Sequence, residues 1–274
     1  MKVLLNFGNK MQKLAAHQSA LASHYDVEAK HYDAFNEEAS SLINQTIENI
    51  LHQYSVKTVL DLTCGTGSQV FWLSQKGFEV IGVDINDKML EIARQKAARH
   101  KLSLRFESGD MRTSKIGQFN AVLTIFNAVG HLTQADFELA IQNIHANLKP
   151  GGLYIFDIFN LDYLLHEDNI TKLTIDWQKK SGAVTAREIQ YSTISPSGVL
   201  ASYDICHEQK GADEPIINTA FQTLQVYSAA QLKHLLERNH FEVIQQTAID
   251  GSKLRTTDSD RILTVAKKQE NIFS

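Results

Sequence analysis

The stretch Val59-Leu60-Asp61-Leu62-Thr63-Cys64-Gly65-Thr66-Gly67-Ser68, followed by Val80-Ile81-Gly82-Val83-Asp84, constrains this chain more than any other. Thr58 to Leu62 is an apolar run with the length of a buried strand, a glycine turn ends it, and the pattern from Gln69 to Gln75 predicts a helix. A second apolar run closes on a carboxylate seventeen residues after Gly67. In open sheets of such strand-helix-strand units, ligands bind in the crevice beyond the carboxyl ends of the strands.

Glycine suits that crevice because a side chain at Gly65 or Gly67 would hold the backbone away from a ligand, and the turn favours positive φ. Asp84 fits a ribose: its two oxygens can accept from both hydroxyls, the part taken by an acidic residue about 20 residues beyond a nucleotide-binding turn. Taken alone, the glycine pair fits an ordinary strand-to-helix turn equally well.

Five short motifs, in order, change that balance. Asp61-x-x-x-Gly65-x-Gly67, the acidic strand end at Asp84, Gly109-Asp110-Met111, Asn120-Ala121-Val122 and Leu148-Lys149-Pro150-Gly151-Gly152 resemble the motifs of class I S-adenosylmethionine-dependent methyltransferases over Val59 to Phe156. Tyr25 with Glu28-Ala29, Asn127-x-x-x-His131-Leu132 and Asp157-x-x-Asn160-x-Asp162-Tyr163 extend the resemblance to the glycine and amino-sugar N-methyltransferases.

That resemblance implies an α/β fold, a doubly wound, mostly parallel seven-stranded sheet with its last strand antiparallel, and S-adenosylmethionine as cofactor. Asp61 and Gly65 would face the methionine part, with Thr63, Thr66 and Gly67 completing the turn. Asp84 and Ile85 would meet the ribose, Asp110 and Met111 the adenine, with Met89 over the adenine face and Ile125 at the end of the fourth strand. Thr63 replaces the commoner glycine, and its hydroxyl bonds either the cofactor amine or the turn itself. Tyr25 and Tyr32 fall in the arm that folds over the cofactor in the resembling family, where a tyrosine packs on the sulfonium; plain core packing is the alternative.

On the acceptor side the resemblance assigns Asn127 and His131, with Phe126 beside them. An imidazole near its ordinary pKa of ~6.5 would take a proton from an ammonium or a hydroxyl at neutral pH, or else serve only structure. Where glycine N-methyltransferase has an arginine that grips the acceptor carboxylate, this chain has Phe159. The departure predicts a small acceptor with an apolar or ring-shaped body near Phe159, with Arg187, Tyr191 or Tyr203 as further contacts.

A chain of 274 residues can bury one substantial core. The formal net charge of −4 offers no footprint for a phosphate backbone, and Phe126-Asn127-Ala128-Val129 stands where base-modifying relatives carry an Asn/Asp-Pro-Pro-aromatic tetrad, so nucleic acid is disfavoured. The apolar run at the start is shorter than the about 7 to 15 residues of a signal-peptide core, and no run approaches a membrane span. Two cysteines, Cys64 and Cys206, provide no disulfide framework and fit a cytoplasmic location. Cys64 reads as a small side chain packed under the turn rather than a catalytic thiol. Eleven histidines invite a metal reading, but none are paired at zinc-motif spacing, and no metal is expected.

Along the chain, residues 1–55 read as a helical arm, helical in pieces from Gln12 to about His52 with Ile43, Ile47, Ile50 and Leu51 on one face. Residues 56–163 and 227–268 form the cofactor-binding core. Within it the third strand alternates at Leu102, Leu104 and Phe106, Thr133 with Asp136 resembles a capping box, and Phe137, Ile141, Ile144 and Leu148 form a helical stripe. Between the two core segments, residues 164–226 carry short alternating runs parted by Ser181-Gly182, Ser195-Pro196-Ser197-Gly198 and Gly211 to Pro215, an antiparallel meander of about four strands. It would roof the crevice as a substrate cover, or serve as a dimerisation sheet, and a homodimer is one expectation. Ser228 with Gln231 reads as a second capping box and Asn239 as a helix terminator.

Methyl transfer to a small-molecule amine nitrogen is the leading expectation, with O-methylation next. Cofactor binding without transfer is a third. A nicotinamide oxidoreductase is disfavoured because Val70 stands where a third glycine belongs.

Overall fold

The computed structural model describes residues 16–26, 29 and 32–269, with side chains for all of these but 32–39, 179 and 181. In chain order the elements are α1 (Tyr32–Gln53), β1 (Thr58–Asp61), α2 (Ser68–Gln75), β2 (Glu79–Asp84), α3 (Asp87–Arg99), β3 (Arg105–Ser108), β4 (Phe119–Thr124), α4 (Gln134–Ala146), β5 (Leu148–Phe159) and α5 (Leu161–Leu165). β6 (Ile175–Ser181), β7 (Val184–Ile194), β8 (Val199–Lys210), β9 (Ile216–Gln225), α6 (Ala229–Glu237), β10 (Phe241–Thr247) and β11 (Arg261–Lys268) follow.

Seven strands form one sheet in the order β10-β11-β5-β4-β1-β2-β3. Only β11 runs against its neighbours, as the resemblance implied. Alternate residues of a strand point to opposite faces, so Val59 packs toward α1, α2 and α3 while Leu60 packs toward α4 and α6. The near-continuous apolar sequences of β4 and β5 follow from burial on both faces. Strand order reverses between β1 and β4, which opens a crevice at their carboxyl ends.

Local sequence sets the helix starts. The Asn86 side chain accepts from the Met89 N–H at the head of α3, and Thr133 accepts from the Asp136 N–H at the head of α4. Ser228 and Gln231 close a full capping box on α6. At the end of α6 the expectation needs correcting: the left-handed residue is His240, with φ 65°, while Asn239 uses its amide to donate to Leu235 O and Glu138.

Three further boundaries differ from the sequence reading. β3 begins at Arg105, because the Leu102 N–H closes the end of α3 on Ala97 O and takes that residue out of the strand. Leu148 opens β5 rather than ending α4, and the Pro-Gly-Gly stretch bulges out between the pairs Phe119–Leu148 and Ala121–Leu153. In the arm, Gln12 to Ala15, Glu28 and the side chain of Tyr32 lie outside the described residues, and residues 16–26 are a strap with one turn, not a helix. Its polar groups are engaged outward: Ala20 N–H donates to His131 O, and His17 bonds both Thr223 and Leu132 O.

The remaining four strands make a separate antiparallel sheet in the order β6-β7-β8-β9. Its base packs on the main body through Leu200 and Val226 against Leu161, Tyr163 and Leu164. Among the described residues no helix is long and apolar enough to cross a membrane.

Candidate functional site

A cleft of roughly 800 Å³, counted out to open solvent, lies over the carboxyl ends of β1, β2 and β4. Of the residues expected to hold a cofactor, Thr63, Gly65, Asp84, Ile85 and Met89 line it, as do Asp110, Met111 and Ile125. Tyr25, Phe126 and His131 line its other end.

Asp84 ties the turn to the second strand. One carboxylate oxygen accepts from the Gly65 N–H and the other from the Asn86 N–H, both at 2.8 Å. Burial outweighs those two donors and raises its pKa. Each oxygen retains lone-pair capacity toward the cleft, which suits a ribose with two hydroxyls. Gly65 has φ +52°, and a Cβ built there meets nothing within 4 Å, so any side chain would project into open space beside the cleft.

Asp61 and Thr63 supply the strongest indication of the chemistry this site would bind. Asp61 is wholly buried, its Oδ1 receives only a long 3.4 Å donation from the Thr63 N–H, and its Oδ2 has no partner. Burial, reinforced by the Asp84 carboxylate, pushes its pKa up to about 8. The Thr63 hydroxyl is likewise buried without a partner. Orphaned buried acceptors carry a free-energy cost that a bound donor relieves, and a cationic amine is the donor an orphaned carboxylate selects. The Asp61-Thr63-Gly65-Asp84 set therefore fits the amine and ribose ends of S-adenosylmethionine. Cys64 packs beneath this turn, where burial pushes its thiol well up and away from nucleophilic use.

Asp110, expected to meet the adenine, is held by a bidentate contact with Arg112, which also reaches Asp136 at 2.9 Å. Burial alone would raise Asp110, but the guanidinium holds it below the usual carboxylate range. Ser19 of the strap donates to the same Asp136, and Asn86 donates to Ala22 O and Asp26. The strap thereby lies across the cleft, with Ala20, Leu21, Ala22 and His24 lining it.

Where the acceptor was expected, the Tyr25 hydroxyl stands 2.6 Å from His131 Nε2. Burial, with His24 and His17 nearby adding to it, holds His131 down at about 3, so the ring is neutral at physiological pH. The phenol being the stronger acid, its O–H donates and Nε2 accepts, which assigns the Nδ1–H tautomer. This overturns the expectation of an imidazole titrating near its ordinary value. The loop after β4 is strained: Phe126 and Asn127 are both left-handed, at φ 64° and 57°. Asp157 and Asn127 hold it, with the Phe126 N–H donating to Asp157 and the Phe159 N–H donating to Asn127 Oδ1 at 2.7 Å each.

Several expected site residues stand apart. Thr66 and Gly67 lie in the turn without lining the cleft, Asp61 is buried next to the lining residues Leu62 and Thr63, and Asn127 bonds the Phe159 N–H. Phe159 packs partly buried against the base of the four-stranded sheet. Arg187 makes a bidentate pair with Asp176, and Tyr203 stacks on Tyr191 at 4.9 Å, both on that sheet and away from the cleft lining. Among the described residues, none from the sheet lines the cleft. It reaches the strap through the Thr223–His17 contact.

Sequence reading missed His24, Arg112, Asn86 and the strap. Asn86 carried a local signal, an N-cap residue two places after Asp84, whereas Arg112 and His24 acquire their roles only through contacts distant in sequence.

Residues 59–152 match the methyltransferase domain family. Over 228 residues the chain is 26% identical to the Bacillus subtilis protein YqeM, described only as a methyltransferase, covering 79% of this chain and 86% of that one. Mouse glycine N-methyltransferase is 32% identical over 131 residues, 42% of this chain and 45% of its own length. A Streptomyces fradiae dTDP-3-amino-3,6-dideoxy-alpha-D-glucopyranose N,N-dimethyltransferase is 26% identical over 168 residues, covering 57% of this chain and 64% of that one. The chain thus spans under two thirds of these two named enzymes. In fold, it superposes on an S-adenosylmethionine-dependent methyltransferase from Clostridium acetobutylicum with a TM-score of 0.71 at 18% identity, covering 90% of this chain and 99% of that one. The crevice, with Asp84 beside it, and these likenesses agree: residues 59–152 form a methyltransferase domain, on a fold shared with a solved S-adenosylmethionine-dependent methyltransferase.

Proposed function

We propose that the protein methylates the nitrogen of a small-molecule amine whose body is apolar or ring-shaped and lacks a carboxylate. The observation that carries this is the acceptor end of the cleft, lined by His24, Tyr25, Ile125, Phe126, Ala128 and His131. Among the described residues, the cation that lines the cleft is Arg112, and it is engaged by two carboxylates. The kinship with an amino-sugar N,N-dimethyltransferase and with glycine N-methyltransferase supports nitrogen as the target.

S-adenosylmethionine supplies a methyl on a sulfonium whose leaving group departs neutral, so no acid is needed. The protein's work is to position and to keep a lone pair free. Asp84 and the bare Gly65 backbone fix the nucleoside, Asp61 the amine, and the strap excludes water. Positioning of this kind can lower a barrier by roughly 7 to 11 kcal/mol. Tyr25, its proton donated to His131, turns its oxygen toward the acceptor N–H and orients the nitrogen. A histidine held at about 3 is too weak a base to activate an alcohol, whereas an amine brings its own lone pair; this favours nitrogen over oxygen.

Melting-shift titration with S-adenosylhomocysteine, followed by labelled cofactor and a panel of amines with and without carboxylates, tests the reading. Turnover of amino sugars or cyclic amines above glycine is expected. Preference for carboxylated amines, or labelled ether products alone, would refute it, and tight cofactor binding with no labelled product from any pool would leave a binding protein.

A further inference from the structure

We propose that the buried ion pair Asp157–Arg261 is a positioning couple for the acceptor: without touching it, the pair sets the loop Ile125–His131 that forms the acceptor end of the cleft. This rests on the methyl-transfer reading of that cleft.

Phe126 and Asn127 are consecutive non-glycine residues in the left-handed region, a conformation that persists only where surroundings over-determine it. Central to those surroundings is one carboxylate. Asp157, fully buried at the end of β5, accepts from the Phe126 N–H at 2.7 Å and, more weakly, from the Asn127 N–H at 3.4 Å. Arg261, at the start of β11, donates to the same Asp157 Oδ2 and places its guanidinium 5.5 Å from the Phe126 ring centroid. Arg261 is only 8% exposed, and its Nε has no partner. Register puts Arg261 directly opposite Phe159, whose N–H donates to Asn127 Oδ1.

Two groups 104 residues apart thus clamp one turn from its backbone and from the face of its aromatic ring. The same turn delivers Ile125, Phe126, Ala128 and His131 to the cleft. A buried ion pair is weak support for stability and is often replaceable by apolar residues of like volume; its consequence here is geometric. Loss of the guanidinium frees the carboxylate to rotate, releases the Phe126 N–H, and lets the loop relax toward ordinary φ. The turn behind Asp84 shares none of these bonds and should be untouched.

The test compares wild type with Arg261→Met, which removes charge at similar volume, and Arg261→Lys, which keeps it. Three readouts are needed: the S-adenosylhomocysteine dissociation constant, acceptor KM and kcat, and amide hydrogen exchange at Phe126, Gly65 and Asn86. In Arg261→Met, kcat/KM for the acceptor should fall about 100-fold, the scale of an ångström-sized misplacement, while cofactor affinity stays within about threefold. Arg261→Lys should recover most of that loss, and the Phe126 amide should lose protection while Gly65 and Asn86 keep theirs. Cofactor affinity and turnover falling together in both variants, or unchanged kcat/KM in Arg261→Met, would overturn the proposal. If wild type binds cofactor yet methylates nothing, the function reading fails instead, and unchanged Phe126 protection in Arg261→Met still overturns the clamp.

Discussion

Binding of S-adenosylhomocysteine should expel a proton from Asp61. That carboxyl is fully buried with one oxygen orphaned, and its pKa is pushed up to about 8. At pH 7 such a group is roughly nine-tenths protonated. An α-ammonium brought against it favours the ionised form by about 1 to 3 units, which translates into release of roughly 0.4 to 0.9 proton at pH 7. Calorimetric titration in phosphate and in Tris measures it, since the observed heat then varies with the buffer's ionisation enthalpy. Asp61→Asn should abolish the dependence. Without ligand the same group acts on stability. Unfolded, Asp61 titrates near ~3.9, so between about pH 4 and pH 8 the folded chain keeps a proton that the unfolded chain has lost. Stability therefore falls as pH rises through that window and levels above it, by on the order of 5 kcal/mol in full. A heat independent of buffer in wild type, or a dependence that survives in Asp61→Asn, would refute the reasoning.

Asp84→Ala removes two acceptors from the ribose; at about 1.5 to 3 kcal/mol per charged hydrogen bond, the S-adenosylhomocysteine dissociation constant should rise about 10² to 10⁴-fold by calorimetry, and a change under threefold would contradict the ribose assignment. Tyr25→Phe takes the 2.6 Å partner from His131 Nε2 and the orienting oxygen from the acceptor. Its kcat should drop about 10 to 100-fold with cofactor affinity nearly constant, as steady-state kinetics would show; an unaltered kcat would demote Tyr25 to packing.

That Asp61, Gly65 and Asp84 come together was legible in sequence because the arrangement is local. Asp61, Gly65 and Asp84 fall within 24 consecutive residues of two adjacent parallel strands, so spacing alone brings them together. The meander was legible for the same reason, its alternation and turns marking β6 to β9 closely. What these strands face was not legible: Arg187 and Tyr203 alternate like cleft residues, but the sheet meets the body at its base, through Leu200 and Val226, and the strap through Thr223. The acceptor half depends on contacts such as Tyr25–His131, 106 residues apart, and His17–Thr223, 206 apart. No periodicity encodes these. Nor could it show that burial would hold His131 neutral, since the shift comes from His24 and His17 as well as from lost solvent.

Charge across the cleft narrows the acceptor further. The carboxylates Asp61 and Asp84 gather at one end, where the cofactor's ammonium and ribose belong, and the sulfonium would stand between them and the Tyr25–His131 pair. An acceptor arriving as an ammonium meets a like charge a few ångströms away in a partly desolvated space, where repulsion is far larger than in water. One arriving with a carboxylate finds Arg112, which lines the cleft, held by Asp110 and Asp136. Only a neutral amine escapes both penalties, and His131, neutral itself, adds no charge against it. On the proposed reading the low pKa of His131 serves transfer: a protonated imidazole beside the sulfonium would weaken cofactor binding, while the neutral ring would let Tyr25 point its oxygen at the acceptor nitrogen.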